Sequence, residues 1–243
     1  MKHAECQVKC RIDRAATLRL QYQAIAAPAM VGSVLSPERE VPSSRRDFTE
    51  HVHVFREGDE VRRIYQLVSG AVMLYKLLPD GRRQIVELIG AGGVFGISSL
   101  PIYECSAETL VASQAISYDY AVVQQSRELS GRLNARLHAQ FCAMHDHAML
   151  LGRKSALERI ASFVMHCLPG RGGFNCPGPR GDDDSAHVQL GMTRQEIADF
   201  LGLTIETVSR AFSELQRRGI VMIDKREHLH VNDVCKMCRL SGT

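Results

Sequence analysis

Apolar positions along the chain change their period twice. Between residues 45 and 124 they fall in short alternating runs: Val52-His53-Val54-Phe55, Ile64-Tyr65-Gln66-Leu67-Val68, Ala71-Val72-Met73-Leu74-Tyr75, Gln84-Ile85-Val86-Glu87-Leu88, Leu110-Val111-Ala112 and Ile116-Ser117-Tyr118. Turn residues separate them: Glu57-Gly58-Asp59, Ser69-Gly70, Pro79-Asp80-Gly81 and Gly90-Ala91-Gly92-Gly93. Short strands punctuated by glycine predict an all-β sandwich or roll. Pro79-Asp80-Gly81 predicts a hairpin turn. The glycines at 90, 92, 93 and 96 do not keep the spacing of a nucleotide-binding loop, and no βαβ context surrounds them. They read as β-roll turns.

From about Ser126 to Ala161 the period becomes helical. Leu129, Leu133, Leu137, Phe141, Met144, Ala148 and Leu151 recur every three or four residues. Such a stripe forms either a seam between two subunits or the face of a helix packed on its own domain. Its length, and its place between two domains, favour the seam, with Leu133, Leu137, Phe141, Met144, Ala148 and Leu151 as the dimer interface. A following helix, Leu157 to Leu168, ends at Pro169-Gly170. Residues 170 to 187 form a polar loop rich in Gly and Pro. Its Arg180-Gly181-Asp182 reads as chance, and its Asp run as a solvated hairpin tip.

Thr193 to Val221 then reads as two short helices, a tight turn between them, and a strand. Ile197, Leu201, Leu203, Val208, Phe212 and Leu215 supply one buried face. Gly202 suits the sharp turn, and Thr204 stands where it can cap the second helix. The second helix is left with Glu206, Thr207, Ser209 and Arg210 outside. Acceptors, hydroxyls and a guanidinium on one helix face are what reading base edges in a major groove requires. Ile220 to Ile223 and His228 to Val231 follow as a hairpin, a wing whose tip carries Lys225 and Arg226 toward phosphate.

Bulk properties add limits. The 243 residues are enough for two modest domains. The boundaries predicted are an N-terminal extension at 1–44, a β-roll at 45–125, a dimerisation helix at 126–156 and a winged helix-turn-helix at 157–243. Within the extension, Asp13 to Ala27 has helical composition before Pro28, Gly32, Pro37 and Pro42 interrupt it. No apolar run approaches about 18 residues, and MKHAECQVKC lacks the apolar core of a secretory signal. No membrane partner and a cytoplasmic location are the expectation. A net charge of +3 argues little for nucleic acid, so the DNA reading rests on local pattern. In a reducing compartment the 8 cysteines read as free thiols, not a disulfide framework.

In this order, the elements resemble the CRP/FNR superfamily of bacterial transcription regulators over roughly residues 45 to 232. TRQEIADFLGLTIETVSR is similar to the DNA-binding helices of the FNR branch, whose recognition helix carries E-x-x-S-R, here Glu206, Ser209 and Arg210. LYKLLPDGRRQIVELIGAGGVFG (Leu74 to Gly96) is most similar to the FixK-like subgroup, and GRKSALERIASFV (Gly152 to Val164) also fits. The implied fold is α+β: a cyclic-nucleotide-binding-like β-roll, a long dimerisation helix and a C-terminal winged helix-turn-helix. The implied function is a homodimeric DNA-binding regulator of low-oxygen, respiratory or nitrogen-fixation genes that contacts RNA polymerase; it is not an enzyme. The resemblance implies that Glu206, Ser209 and Arg210 read a TTGAT-type half-site in double-stranded DNA. A glutamate accepts from cytosine N4 and an arginine bonds guanine bidentately. The alternative for Glu206 and Arg210 is an intrahelical ion pair on a solvated face. Thr193, Arg194, Gln195, Thr204 and Thr207 stand at helix starts, where phosphate is bound. Ile205 stands where CRP carries an arginine, which argues against CRP-type sequence preference.

The input is less legible. cAMP-binding members hold the cyclic phosphate with an Arg-Ser pair and a Gly-Glu-Leu run. The corresponding stretches here are Glu104-Cys105-Ser106 and Gly96-Ile97-Ser98, without the arginine. FNR itself holds a [4Fe–4S] cluster on four cysteines. Cys6 and Cys10 lack a close third partner, and no cysteine stands near Ser117 to Asp119. No cofactor and no metal are therefore expected. An iron-sulfur cluster using Cys105, or zinc on His228, His230, Cys235 and Cys238, remains as the alternative sensor reading.

Overall fold

The computed structural model describes residues 42–168, 178, 184–225 and 228–242. The expected helix at Asp13 to Ala27, Cys6, Cys10, Cys176, Arg180-Gly181-Asp182 and Arg226 lie outside the described residues. The β-roll consists of β1 (Ser43–Phe48), β2 (His53–Phe55), β3 (Arg63–Ser69), β4 (Val72–Leu77), β5 (Arg83–Ile89), β6 (Val94–Phe95), β7 (Ser106–Thr109) and β8 (Ser113–Asp119). They form two antiparallel four-stranded sheets, ordered β1-β8-β3-β6 and β2-β7-β4-β5. Alternate residues of both sheets, among them Phe55, Tyr65, Leu67, Leu74, Phe95 and Ala115, pack one core. Phe55 stacks on Tyr103 with ring centroids 3.8 Å apart. At the β4–β5 turn, the Leu78 N–H donates to the Arg82 carbonyl at 2.8 Å and Gly81 takes φ 85°.

One strand expectation needs correction, and one strand went unexpected. Leu110 to Ala112 is a turn between β7 and β8, not a strand. Its apolar character reflects Leu110, which is buried beneath the turn. β1, SSRRDF, was invisible as alternation because it is an exposed, charged edge strand. It is held by its backbone pairing with β8, from Ser43↔Tyr118 to Phe48↔Ser113.

Helices α1 (Tyr120–Gln125), α2 (Arg127–Arg153) and α3 (Ala156–His166) follow. The break expected between the long helix, 126–156, and a following helix from Leu157 falls at Lys154 and Ser155. Ser155 and Glu158 form a capping box that starts α3 afresh. α2 presents two faces. Leu129 and Leu133 bury against Ile64, Val94 and Tyr118 of the β-roll. Gln140 accepts from the Val94 N–H at 2.7 Å and donates to the Val94 carbonyl at 2.9 Å, pinning the helix to β6. The outer face leaves Phe141, Met144 and Ala148 exposed and Leu137 half-buried.

The C-terminal part is β9 (Ala186–Gln189), α4 (Arg194–Leu201), α5 (Ile205–Arg217), β10 (Val221–Lys225), β11 (His228–Val231) and α6 (Val234–Ser241). Its sheet is ordered β10-β11-β9. The first two residues of β9 fall within the stretch 170 to 187 expected as a polar loop; only four residues long, the strand is defined by its register on β11. Ile160, Phe163, Ile197, Leu201, Val208 and Phe212 are buried in one cluster that continues into Met73, Ile85 and Leu88 of the β-roll. The two parts thus share a core. No helix among the described residues is long and apolar enough to cross a membrane.

Candidate nucleic-acid interface

The helix-turn-helix is built by local rules. At the start of α4, Thr193 accepts from the Glu196 N–H at 3.2 Å, and the Glu196 carboxylate accepts from the Thr193 N–H at 2.7 Å. This reciprocal pair satisfies two donors that a helix start otherwise leaves open. α4 ends at Gly202 in the left-handed region, φ 61°, which a side chain would strain. Two residues later Thr204 caps α5 by accepting from the Thr207 N–H at 3.2 Å. α5 buries Val208, Ala211, Phe212 and Leu215, so the helical period turns Glu206, Ser209, Arg210 and Ser213 to solvent.

The three residues expected to read bases therefore share one exposed face. Ser209 donates to the Ile205 carbonyl at 2.8 Å, which holds its hydroxyl close to the helix surface with lone pairs free to accept. The Glu206 carboxylate is held below the usual carboxylate range by its own backbone N–H, then by the Thr204 hydroxyl, with Arg210 adding attraction. It is an ionised acceptor at neutral pH. The intrahelical ion pair considered for Glu206 and Arg210 does not form within contact distance. Arg210 makes no hydrogen bond with any described residue. The residue is exposed on the outer face of α5.

Of the residues expected at phosphate, Thr193, Gln195 and Thr204 are exposed and Thr207 is half-buried at the starts of α4 and α5. Gln195 donates to Asp199 at 2.7 Å. Arg194 departs from the expectation of a side chain reaching outward. Its guanidinium lies 3.6 Å from the centre of the Phe212 ring, and its Nη1 is buried without a hydrogen-bond partner among the described residues. Burial lowers its pKa below that of a free arginine. The stack favours a structural role in joining α4 to α5. Nothing in the spacing of the sequence separates it from its neighbours.

Along α2, the expected dimer residues divide. Phe141, Met144 and Ala148 are exposed and Leu137 half-buried, at helical spacing on one face. Leu133, 2% exposed, is used up against the β-roll, and Leu151 packs on the DNA-binding core beside Gly202. The sequence period alone could not tell a residue facing its own sheet from one facing a partner, because α2 does both along its length.

The sequence reading missed the residues that fasten the two domains. Arg83 of β5 donates to Asp199 of α4 at 2.7 Å, and Gln84 donates to the Phe200 carbonyl at 3.3 Å. Arg159 of α3 donates to the carbonyls of Leu151, Lys154 and Leu201, at 2.6, 3.0 and 2.8 Å, closing the ends of α2 and α4. Beside this joint lies a cavity of about 40 Å³ lined by Val86, Glu87, Gln140, Met144, His147 and Phe200. Burial pushes the Glu87 carboxyl up to about 7 against the opposing hydrogen bond from Gln140. Burial also pushes His147 down to about 4, with the neighbouring His166 and Arg159 adding to the lowering. His147 stacks on Phe200 at 4.2 Å.

The sites weighed for sensing show their own chemistry. Ser98, in the stretch expected to correspond to the cyclic-phosphate pocket, donates to Glu104 at 3.0 Å, placing an acid where a phosphate would want a cation. Burial, and next the charge of Glu87, push the Cys105 thiol up to about 11; burial pushes Cys167 up to about 12. Neither is a ready thiolate at neutral pH. Among the described residues, no three His, Cys, Asp or Glu side chains gather as metal ligands, so His228, His230, Cys235 and Cys238 do not form one zinc set.

Comparison with known proteins decides the family. A Crp-like helix-turn-helix domain matches residues 158–240 and a cyclic nucleotide-binding domain matches residues 45–127. The chain belongs to the CRP/FNR family. Similar CRP/FNR proteins include the nitrogen fixation regulation protein FixK of Bradyrhizobium diazoefficiens, 36% identical over 183 residues, which cover 74% of each chain. FixK of Azorhizobium caulinodans is 34% identical over 199 residues, covering 80% of this chain and 78% of that one. The structure of FixK2 from Bradyrhizobium japonicum superposes with a TM-score of 0.68 at 29% identity, covering 83% of this chain and 98% of the other. This CRP/FNR protein is a DNA-binding transcription regulator of FixK/FNR type and not an enzyme.

Proposed function

We propose that the protein acts as a homodimer that reads a TTGAT-type palindrome and activates low-oxygen, respiratory or nitrogen-fixation genes through contact with RNA polymerase. The observation that carries this reading is the exposed face of α5, where Glu206, Ser209 and Arg210 stand together and Arg210 makes no hydrogen bond with any other described residue. The apolar strip of Leu137, Phe141, Met144 and Ala148 supports pairing through α2. Two α5 helices then enter successive major grooves roughly 34 Å apart. Thr193, Gln195, Thr204 and Thr207 bind the flanking phosphates, and Arg194 braces them from within. The FixK relatives carry nitrogen-fixation regulation in their names, which supports the same role here. Half-site spacing tests the dimer reading. Inserting about half a helical turn, ~5 base pairs, between the half-sites is expected to reduce binding to that of a single half-site. Undiminished binding to the lengthened site contradicts it.

A further inference from the structure

We infer that His187 and His230 form a solvent-open two-imidazole site for a borderline divalent cation of the Zn²⁺ type. The two residues face each other directly across the β9–β11 ladder, so backbone pairing fixes their spacing. Their Nδ1 atoms lie 3.3 Å apart, with ring centroids at 4.3 Å and planes inclined at 47°. Zinc–nitrogen bonds of about 2.0–2.1 Å meeting at a tetrahedral angle place two ligand nitrogens about 3.3–3.4 Å apart. The ladder therefore already sets the two nitrogens at the separation that one ion needs. His187 is exposed and His230 half-buried, so an ion approaches from solvent without moving the fold. Without metal, one ring N–H donates to the other ring nitrogen.

The donor set fixes the class of ion. Two neutral imidazoles suit zinc, nickel or copper and not magnesium or calcium, which take oxygen ligands. Met222 is directly opposite His230 on β10 and is 56% exposed, so a thioether adjoins the pair in the same row. Among the described residues no third His, Cys, Asp or Glu joins the pair. An ion held here ties β11, the returning strand of the wing, to β9. The chain runs from β9 through Leu190 to Met192 into Thr193, the cap of α4. Binding in the folded state alone stabilises that state by mass action.

The full chain, freed of metal and then titrated with Zn²⁺ against a chromophoric chelator, tests the site. The chain has 10 histidines and 8 cysteines, so the comparison between variants is what counts. His187→Asn and His230→Asn are each expected to lose the same zinc equivalent, together with the zinc-induced rise in thermal midpoint. His228→Asn, two residues along β11 and opposite Gln189, is expected to keep both. Mg²⁺ is expected to have no effect. Histidine-selective NMR of the unaltered protein is expected to show the His187 and His230 ring signals moving together with Zn²⁺, a readout that needs no variant. Wild-type zinc uptake in both variants, equal loss in His228→Asn, or unmoved ring signals would overturn the proposal.

Discussion

The Arg83 guanidinium of the β-roll lies 2.7 Å from the Asp199 carboxylate of α4, with Asp199 8% and Arg83 25% exposed. This ion pair ties the helix that supports the DNA-reading helix to the strand β5. Removing one partner leaves the other without its counter-charge in a partly dry joint. Arg83→Ala is expected to cost about 1–3 kcal/mol of stability in urea unfolding and to weaken DNA binding for every sequence alike. Gln195 still donates to Asp199, which limits the loss. Arg83→Ala combined with Asp199→Ala is expected to recover part of it; purely additive losses would show that the pair carries no coupling.

The two faces of α2 make opposite demands. A polar residue at Phe141 or Met144, 57% and 43% exposed, is expected to shift sedimentation from dimer to monomer while leaving the monomer folded. Leu133→Ala instead opens a cavity beneath the helix and is expected to cost about 2–5 kcal/mol in unfolding. Unchanged sedimentation of a Met144→Lys variant would remove the exposed strip from the dimer interface.

Glu87 and His147 pull stability in opposite directions with pH. Glu87, raised to about 7 from 4.5, holds its proton more tightly folded than unfolded, so its contribution is lost as pH rises through that range. His147, lowered to about 4 from 6.5, resists protonation in the fold, so its contribution is lost as pH falls through that range. Over the shared interval the two effects oppose each other. Glu87→Gln is expected to expose a loss of stability on acidification below about pH 6.5. His147→Phe, which keeps the stack on Phe200, is expected to expose a loss on raising pH toward 7. Thermal midpoints across pH 4 to 8 check both, and parallel profiles for the two variants would contradict the assignment.

Much of this was legible because it is encoded locally. Gly202, the caps at Thr193 and Thr204 and the buried spacing of Val208, Phe212 and Leu215 specify the helix-turn-helix within a few residues, and they also fix which way Glu206, Ser209 and Arg210 face. What stayed hidden depends on residues far apart in sequence. Arg83 and Asp199 are 116 residues apart. β1 has no apolar alternation to reveal it, since only its ladder with β8 makes it a strand. Arg194 and Leu133 have the composition of contact residues, and only the packing shows that Phe212 and the β-roll claim them first.

The central claim is that Arg210 reads a base and does not merely decorate the helix. The direct measurement is the ratio of affinities for a TTGAT-type palindrome and a scrambled duplex, at one salt concentration, for the wild type and Arg210→Ala. Loss of one bidentate guanine contact is expected to remove about 1–3 kcal/mol of discrimination per half-site, leaving binding to the scrambled duplex nearly unchanged. An Arg210→Ala protein that discriminates as well as the wild type would contradict the account.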